Sequence, residues 1–223
     1  MTAPYITIAQ SEYTYEQVIK KSRFIVSLMR VTDKAAAKAF IERISQANRK
    51  ANHNVWTYLL GDRDEIQRYS DDGEPAGTAG VPMLEVLKNN GIHDVVAVQT
   101  RYFGGIKLGA GGLIRAYAGT MASAVATVGL VQRIERRQLT LTIEYAQYEP
   151  LKYWLESQAY SILDTEYATG VTLTVPVNTE LVADFVQAVT DHLQGKVTVE
   201  VGAVNLFEIP YDKAVTAKTS SLK

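Results

Sequence analysis

The chain has no cysteine among its 223 residues. That absence excludes disulfides and thiolate metal sites. Three histidines, His53, His93 and His192, leave little material for a histidine-based metal cage. Excess charge of either sign is also missing: 23 Lys and Arg stand against 24 Asp and Glu. No global field therefore draws the molecule onto nucleic acid or a membrane. No apolar run approaches the length of a membrane-spanning helix. The opening MTAPYITIAQ has neither the basic segment nor the apolar core of a secretory signal. A cytoplasmic location is expected, with no membrane partner and no cofactor. What is present is an ordinary globular composition, 47% hydrophobic and 21% charged, long enough for one large domain or two small ones.

The charges that do occur are unevenly placed. Residues 1–135 carry 16 Lys and Arg against 13 Asp and Glu, and residues 136–223 carry 7 against 11. The first half is the side expected to meet an anionic partner, although a solvated surface accounts for so mild a bias equally well.

The second half has the clearer pattern. Leu139, Leu141, Ile143 and Tyr145 alternate with polar residues and predict a half-buried strand. Tyr148, Leu151 and Leu155 follow at helical spacing, with Pro150 in the first turn, where a missing N–H does little harm. ILDTEYA and VTLTVPV predict two strands, with Pro176 marking a strand end or sheet edge. Asn178 suits the N-cap of a helix with the apolar face Val182, Phe185, Val186, Val189 and Leu193, which Gly195 can end. Val197, Val199 and Val201 make a last strand. The order is βαββαβ, that of a ferredoxin-like domain. The polar segment after Pro210 is expected to fray.

The first half is also mixed. Two strands flank Lys20, Lys21, Ser22 and Arg23 between Tyr13 and Met29. Thr32 or Asp33 caps a helix carrying Ala36, Phe40, Ile44 and Ala47 on one face. NVWTYLLG and EIQRYS predict a hairpin around Gly61 and Asp62, Pro82 starts a short helix that ends at Gly91, and DVVAVQTRYF is an apolar strand. A long helix rich in small residues follows. Strands in one layer and helices in another give an α+β sandwich.

The unusual stretch lies between that last strand and the long helix: TRYFGGIKLGAGGLIRAYAG. Gly104, Gly105, Gly109, Gly111 and Gly112 fall within nine positions, surrounded by Arg101, Lys107 and Arg115. Glycine allows left-handed backbone and close approach, and the first N–H groups of a helix favour an anion. Nucleotide, RNA-backbone or metabolite phosphates are the expected guests. The run is neither GxxxxGKS/T nor GxGxxG in a long parallel series. A tight turn with close helix packing and solvated cations remains the competing account. The cations Lys21 and Arg23 of KKSRF add positive charge to the same half. In SDDGEPAGTAG, Asp71, Asp72 and Glu74 suit either a metal ion or base, or a structural turn with a carboxylate paired to a nearby Arg. His53 has the same two readings.

Taken together, IKKSRFIV (19–26), ANHNVWTYLLGD (51–62), YSDDGEPAGTAGVPML (69–84) and VVAVQTRYFGGIKLGAGGLIRAYA (95–118) resemble the Impact family, bacterial YigZ type. Gln99 interrupts a strand that is aliphatic in the family pattern, and Thr57 replaces a small apolar residue. The resemblance implies a two-domain α+β protein. Residues 1–133 form an elongation-factor-G-domain-IV-like α/β sandwich, a fold shared with a ribosomal protein and some small-molecule kinases. Residues 134–210 form a ferredoxin-like domain, and 211–223 a polar tail. It further implies a non-enzymatic binding protein, associated with RNA or the ribosome and linked to translation regulation. The anion- or nucleic-acid-binding set is Arg101, Gly104, Gly105, Lys107, Gly109, Gly111, Gly112, Arg115, Lys21 and Arg23, with no catalytic residue. Two alternatives stand beside it: a phosphoryl-transfer enzyme for a small phosphorylated substrate, and an adaptor that meets a protein partner through the acidic second domain.

Overall fold

Strand β6 (Val95–Tyr102) is buried on both faces over most of its length, with Val95–Val98 apolar, and it lies at the centre of a five-stranded antiparallel sheet. The computed structural model describes residues 5–61 and 63–211. These divide into two units, one of residues 5–133 with 208–211 and one of residues 134–207.

In the first unit, the central sheet runs β2 (Glu12–Ile19), β3 (Ser22–Arg30), β6, β4 (His53–Leu60), β5 (Ile66–Ser70). Both faces are covered, as a strand apolar on both sides requires. Helix α1 (Lys34–Ala47) packs Ala37, Phe40 and Ile44 with Tyr58, Val96 and Val98 on one face. Helices α2 (Gly80–Asn89) and α3 (Ala110–Val128) pack with Val55, Leu59, Val95 and Ala97 on the other. The single helical layer expected from sequence is thus corrected to two. Asp33 is the cap of α1, accepting from the Ala36 N–H at 2.8 Å. Helix α3 starts two residues before Gly112. Asp62, expected in the hairpin turn, lies outside the described residues.

A short strand the sequence reading missed, β1 (Tyr5–Ile8), pairs with Leu130–Arg133 at the start of β7 (Leu130–Ile143). From Arg136 onward β7 pairs with β9 (Val171–Asn178) in the second unit. That unit continues with α4 (Tyr148–Ser157), β8 (Asp164–Tyr167), α5 (Val182–His192) and β10 (Thr198–Tyr211). Its strand order is β10-β7-β9-β8, which with βαββαβ connectivity is the ferredoxin-like arrangement. Leu151, Leu155, Phe185 and Val189 from the helices share its core with Leu139, Leu141, Leu173 and Val175. Pro176 sits on β9 past the end of β8, where only β7 flanks it. Asn178 does not cap α5; its Oδ1 accepts from Arg136 Nε at 3.1 Å, and a 3₁₀ turn precedes the helix. Tyr145 likewise leaves the strand for a 3₁₀ turn. Helix α5 stops before the expected Gly195: Leu193 is its C-cap, and Gln194 (φ 54°) takes the first left-handed position ahead of Gly195 (φ 79°). Residues 208–211, assigned from sequence to the second domain and tail, lie with the first unit; the tail from 212 lies outside the described residues. Among the described residues no helix is long and apolar enough to cross a membrane.

Candidate anion-binding site

The glycine loop connects β6 to α3, and its shape is set by the β2–β3 turn beneath it. Lys20 and Lys21 form that two-residue turn with φ of 46° and 66°. A Cβ on Gly104 would lie 2.0 Å from the Lys21 carbonyl carbon and oxygen, so only glycine permits this approach. The Gly104 N–H donates to Ser22 Oγ at 3.2 Å and ties the loop to the turn. At the other end Gly109 is the N-cap of α3 with φ 71°, a conformation that disfavours any L side chain. No side chain caps α3 and no acidic residue occupies its first turn, so its leading N–H groups have no side-chain acceptor. Gly105 also has positive φ, while Gly111 and Gly112 lie in the first turn of the helix.

Arg101 is not the surface cation its place in the motif suggests. It is 5% exposed. Its Nη1 donates to Glu74 Oε1 at 2.7 Å, and the same oxygen accepts from Tyr117 Oη at 2.7 Å. Burial first, then the Glu74 carboxylate, raise the Tyr117 pKa far above the usual phenol value, so Tyr117 stays a donor. His53 Nδ1 donates to the Asp72 carbonyl at 2.8 Å, which leaves Nε2 facing Glu74 Oε1 at 3.8 Å. The Arg101 guanidinium lies 5.5 Å and 5.6 Å from the ring centres of Phe24 and Phe103, and its Nε has no hydrogen-bond partner.

These groups surround a hollow of about 410 Å³, bordered by His53, Glu74, Arg101, Phe103, Lys107 and Gly109. A smaller hollow, about 210 Å³, is lined by Lys20, Leu108, Gly112 and Arg115. Leu108 borders both. The expected set is therefore distributed: Arg101, Lys107 and Gly109 gather at one hollow, Arg115 and Gly112 at its neighbour, and Lys21 in the turn below Gly104. Arg23 stands apart, held by Glu16 through bonds of 2.6 and 2.8 Å. Sequence reasoning missed Phe103, Leu108 and Tyr117; the first two lie inside the glycine stretch and carry no sign of which way they face.

The acidic loop is occupied by protein donors. Asp71 accepts from the N–H groups of Gly77, Ala79 and Gly80 at 2.9, 3.1 and 2.8 Å, serving the start of α2. Asp72 accepts from the Asn54 N–H at 2.6 Å, and Glu74 is the Arg101 partner. Among the described residues no group of three or more His, Asp or Glu is placed to hold a metal ion.

Two family models match the chain: the Impact N-terminal domain over residues 20–125 and a domain of unknown function, DUF1949, over residues 141–196. The chain is 38% identical over 208 residues to the Bacillus subtilis (strain 168) protein named IMPACT family member YvyE, covering 93% of this chain and 95% of that one. To the Escherichia coli (strain K12) IMPACT family member YigZ it is 36% identical over 190 residues, 84% of this chain and 93% of that one. A crystal structure of a hypothetical protein aligns with a TM-score of 0.57 at 33% identity, covering 91% of this chain and 98% of that one.

Proposed function

The chain belongs to the Impact family, and on that premise we propose that it is a non-enzymatic, cytoplasmic binding protein that contacts RNA in a ribosomal setting and acts in translation regulation. The observation that carries this reading is the uncapped start of α3, set beside Lys107 and the hollow over Arg101. Backbone N–H groups and a helix dipole there favour a phosphate, and Lys107 adds an exposed cation. Lys20 and Arg115 add positive charge at the neighbouring hollow. Phosphoryl transfer asks more of a site, namely carboxylates directed at a phosphate-bound metal and at the attacking hydroxyl. Asp71, Asp72 and Glu74 are directed instead at backbone N–H groups and at Arg101.

Filter binding of a short single-stranded RNA across a salt series tests the proposal. Affinity is expected to fall about 10- to 100-fold between roughly 50 and 200 mM salt. Lys107→Ala should weaken binding across sequences and reduce the salt slope by about 1. RNA binding that ignores salt, or that Lys107→Ala, Arg115→Ala and Lys21→Ala all leave at the parent level, would overturn it.

A further inference from the structure

The second unit carries an open aromatic surface that RNA binding by the first unit does not use. Tyr145 and Tyr167 are 55% and 59% exposed, and Tyr153 is 77% exposed. A tyrosine ring gains from being covered while its hydroxyl keeps a polar partner. Tyrosines left open together are therefore a sign of an interaction surface, where this residue type is enriched.

The rings are held in place by one another and by the backbone. Tyr145 stacks with Tyr167, with centroids 6.4 Å apart and planes 17° apart, and Tyr148 meets Tyr167 edge-on at 5.7 Å. Tyr145 Oη donates to the Ala168 carbonyl at 2.7 Å, which ties that ring to the residue after β8. A platform set in this way loses little side-chain freedom when a partner covers it.

Negative charge lies beside the platform. A hydrogen bond with Tyr148 is the first cause that raises the Tyr167 pKa above the usual phenol value, and the Glu149 charge contributes to the same rise, so that carboxylate stands within electrostatic reach of the rings. Glu149 precedes Tyr153 by four residues on α4 and Glu156 follows it by three, so the three exposed side chains share one helix face. Lys152, half-buried, is the cation of the same helix. Among the described residues no ion pair holds Glu149, Glu156 or Lys152. Residues 134–207 as a whole carry four Lys and Arg against ten Asp and Glu.

An exposed tyrosine platform suits either a nucleic-acid base or a cation. Charge decides between them. A phosphate backbone would meet Glu149, Glu156 and the negative excess of the unit. A guanidinium stacks on an aromatic face and pairs with a carboxylate through the same planar group. We propose that this face docks a basic, arginine-containing segment of a partner protein, with an Arg side chain on Tyr145 and Tyr167 and further cations along Glu149 and Glu156. RNA binding by the first unit is a separate property, so either can fail alone.

Fluorescence anisotropy on the full chain uses a labelled peptide of Arg-Gly-Ser repeats, its Lys-Gly-Ser counterpart and a labelled single-stranded RNA. The Arg peptide is expected to bind about three- to tenfold tighter than the Lys peptide, and to weaken as salt rises. Tyr167→Ala should weaken the Arg peptide about fivefold, whereas Tyr167→Phe, which keeps the ring, should leave it near the parent level. Glu149→Lys combined with Glu156→Lys changes only exposed helix positions; it should keep the parent's melting temperature and remove most of the binding. No measurable binding of the Arg peptide overturns the proposal, as does binding that neither Tyr167→Ala nor the double charge reversal alters. Equal affinity for the two peptides also overturns it, since charge attraction alone would then suffice. Loss of RNA binding in Tyr167→Ala would instead assign the platform to bases.

Discussion

Gln99 brings both polar atoms of its side chain into a fully buried position on β6 without a hydrogen-bond partner. It faces the same side of the sheet as Val95 and Ala97, in the core under α2 and α3. Each unsatisfied buried group costs about 1–3 kcal/mol. Gln99→Met keeps the unbranched shape and removes both atoms. It is expected to stabilise the protein by about 1 kcal/mol or more, seen as a higher urea midpoint at unchanged slope. A lower midpoint would mean that the amide is satisfied in solution. Arg101 shows the opposite situation at the same scale. Its charge is buried with a partner, so deleting Glu74 alone leaves an uncompensated cation rather than an apolar gap.

The β2–β3 turn and the glycine loop act as one element. A two-residue turn with both residues left-handed normally takes Asn-Gly, and here Lys20 and Lys21 accept that backbone instead. The result is a cationic turn on which Gly104 rests. Gly104→Ala places a methyl 2.0 Å from main-chain atoms that have no way to yield by rotating a side chain. A loss of about 1–3 kcal/mol is expected. Gly111→Ala is the control. Its Cβ meets nothing within 4 Å in the first turn of α3, and alanine should stabilise the helix by up to about 1 kcal/mol. Thermal melts of the two variants check the contrast; equal destabilisation would refute the steric account of Gly104.

Over the whole molecule, positive charge favours residues 1–135 and negative charge residues 136–223. The candidate site lies entirely within the first unit. Hydrogen exchange with and without RNA is therefore expected to show slowed amides around 20–23 and 103–115 and unchanged rates through residues 134–207. Protection centred on the ferredoxin-like unit would place the RNA surface elsewhere. The pattern is a direct consequence of where unpaired cations and uncapped N–H groups coincide.

The sequence alone determined what depends on near neighbours along the chain. Period-two alternation in LTLTI and VTLTVPV and helical spacing in α4 and α5 were enough for βαββαβ. The glycine run marked the strand-to-helix junction, and the long motifs pointed to the family that the relatives show. What tertiary structure decided is which distant residues meet. Arg101 is taken out of the solvent by Glu74, 27 positions away, and Tyr117, 43 positions from Glu74, joins them. Arg23 is claimed by Glu16, and Asn178 by Arg136 rather than by a helix end. Strand β1 is four residues long, too short for a pattern, and exists because β7 is there to pair with it. A residue's type states which charges and hydrogen bonds it can offer; whether they remain available to a ligand depends on the partners that sheet order and layer packing bring beside it.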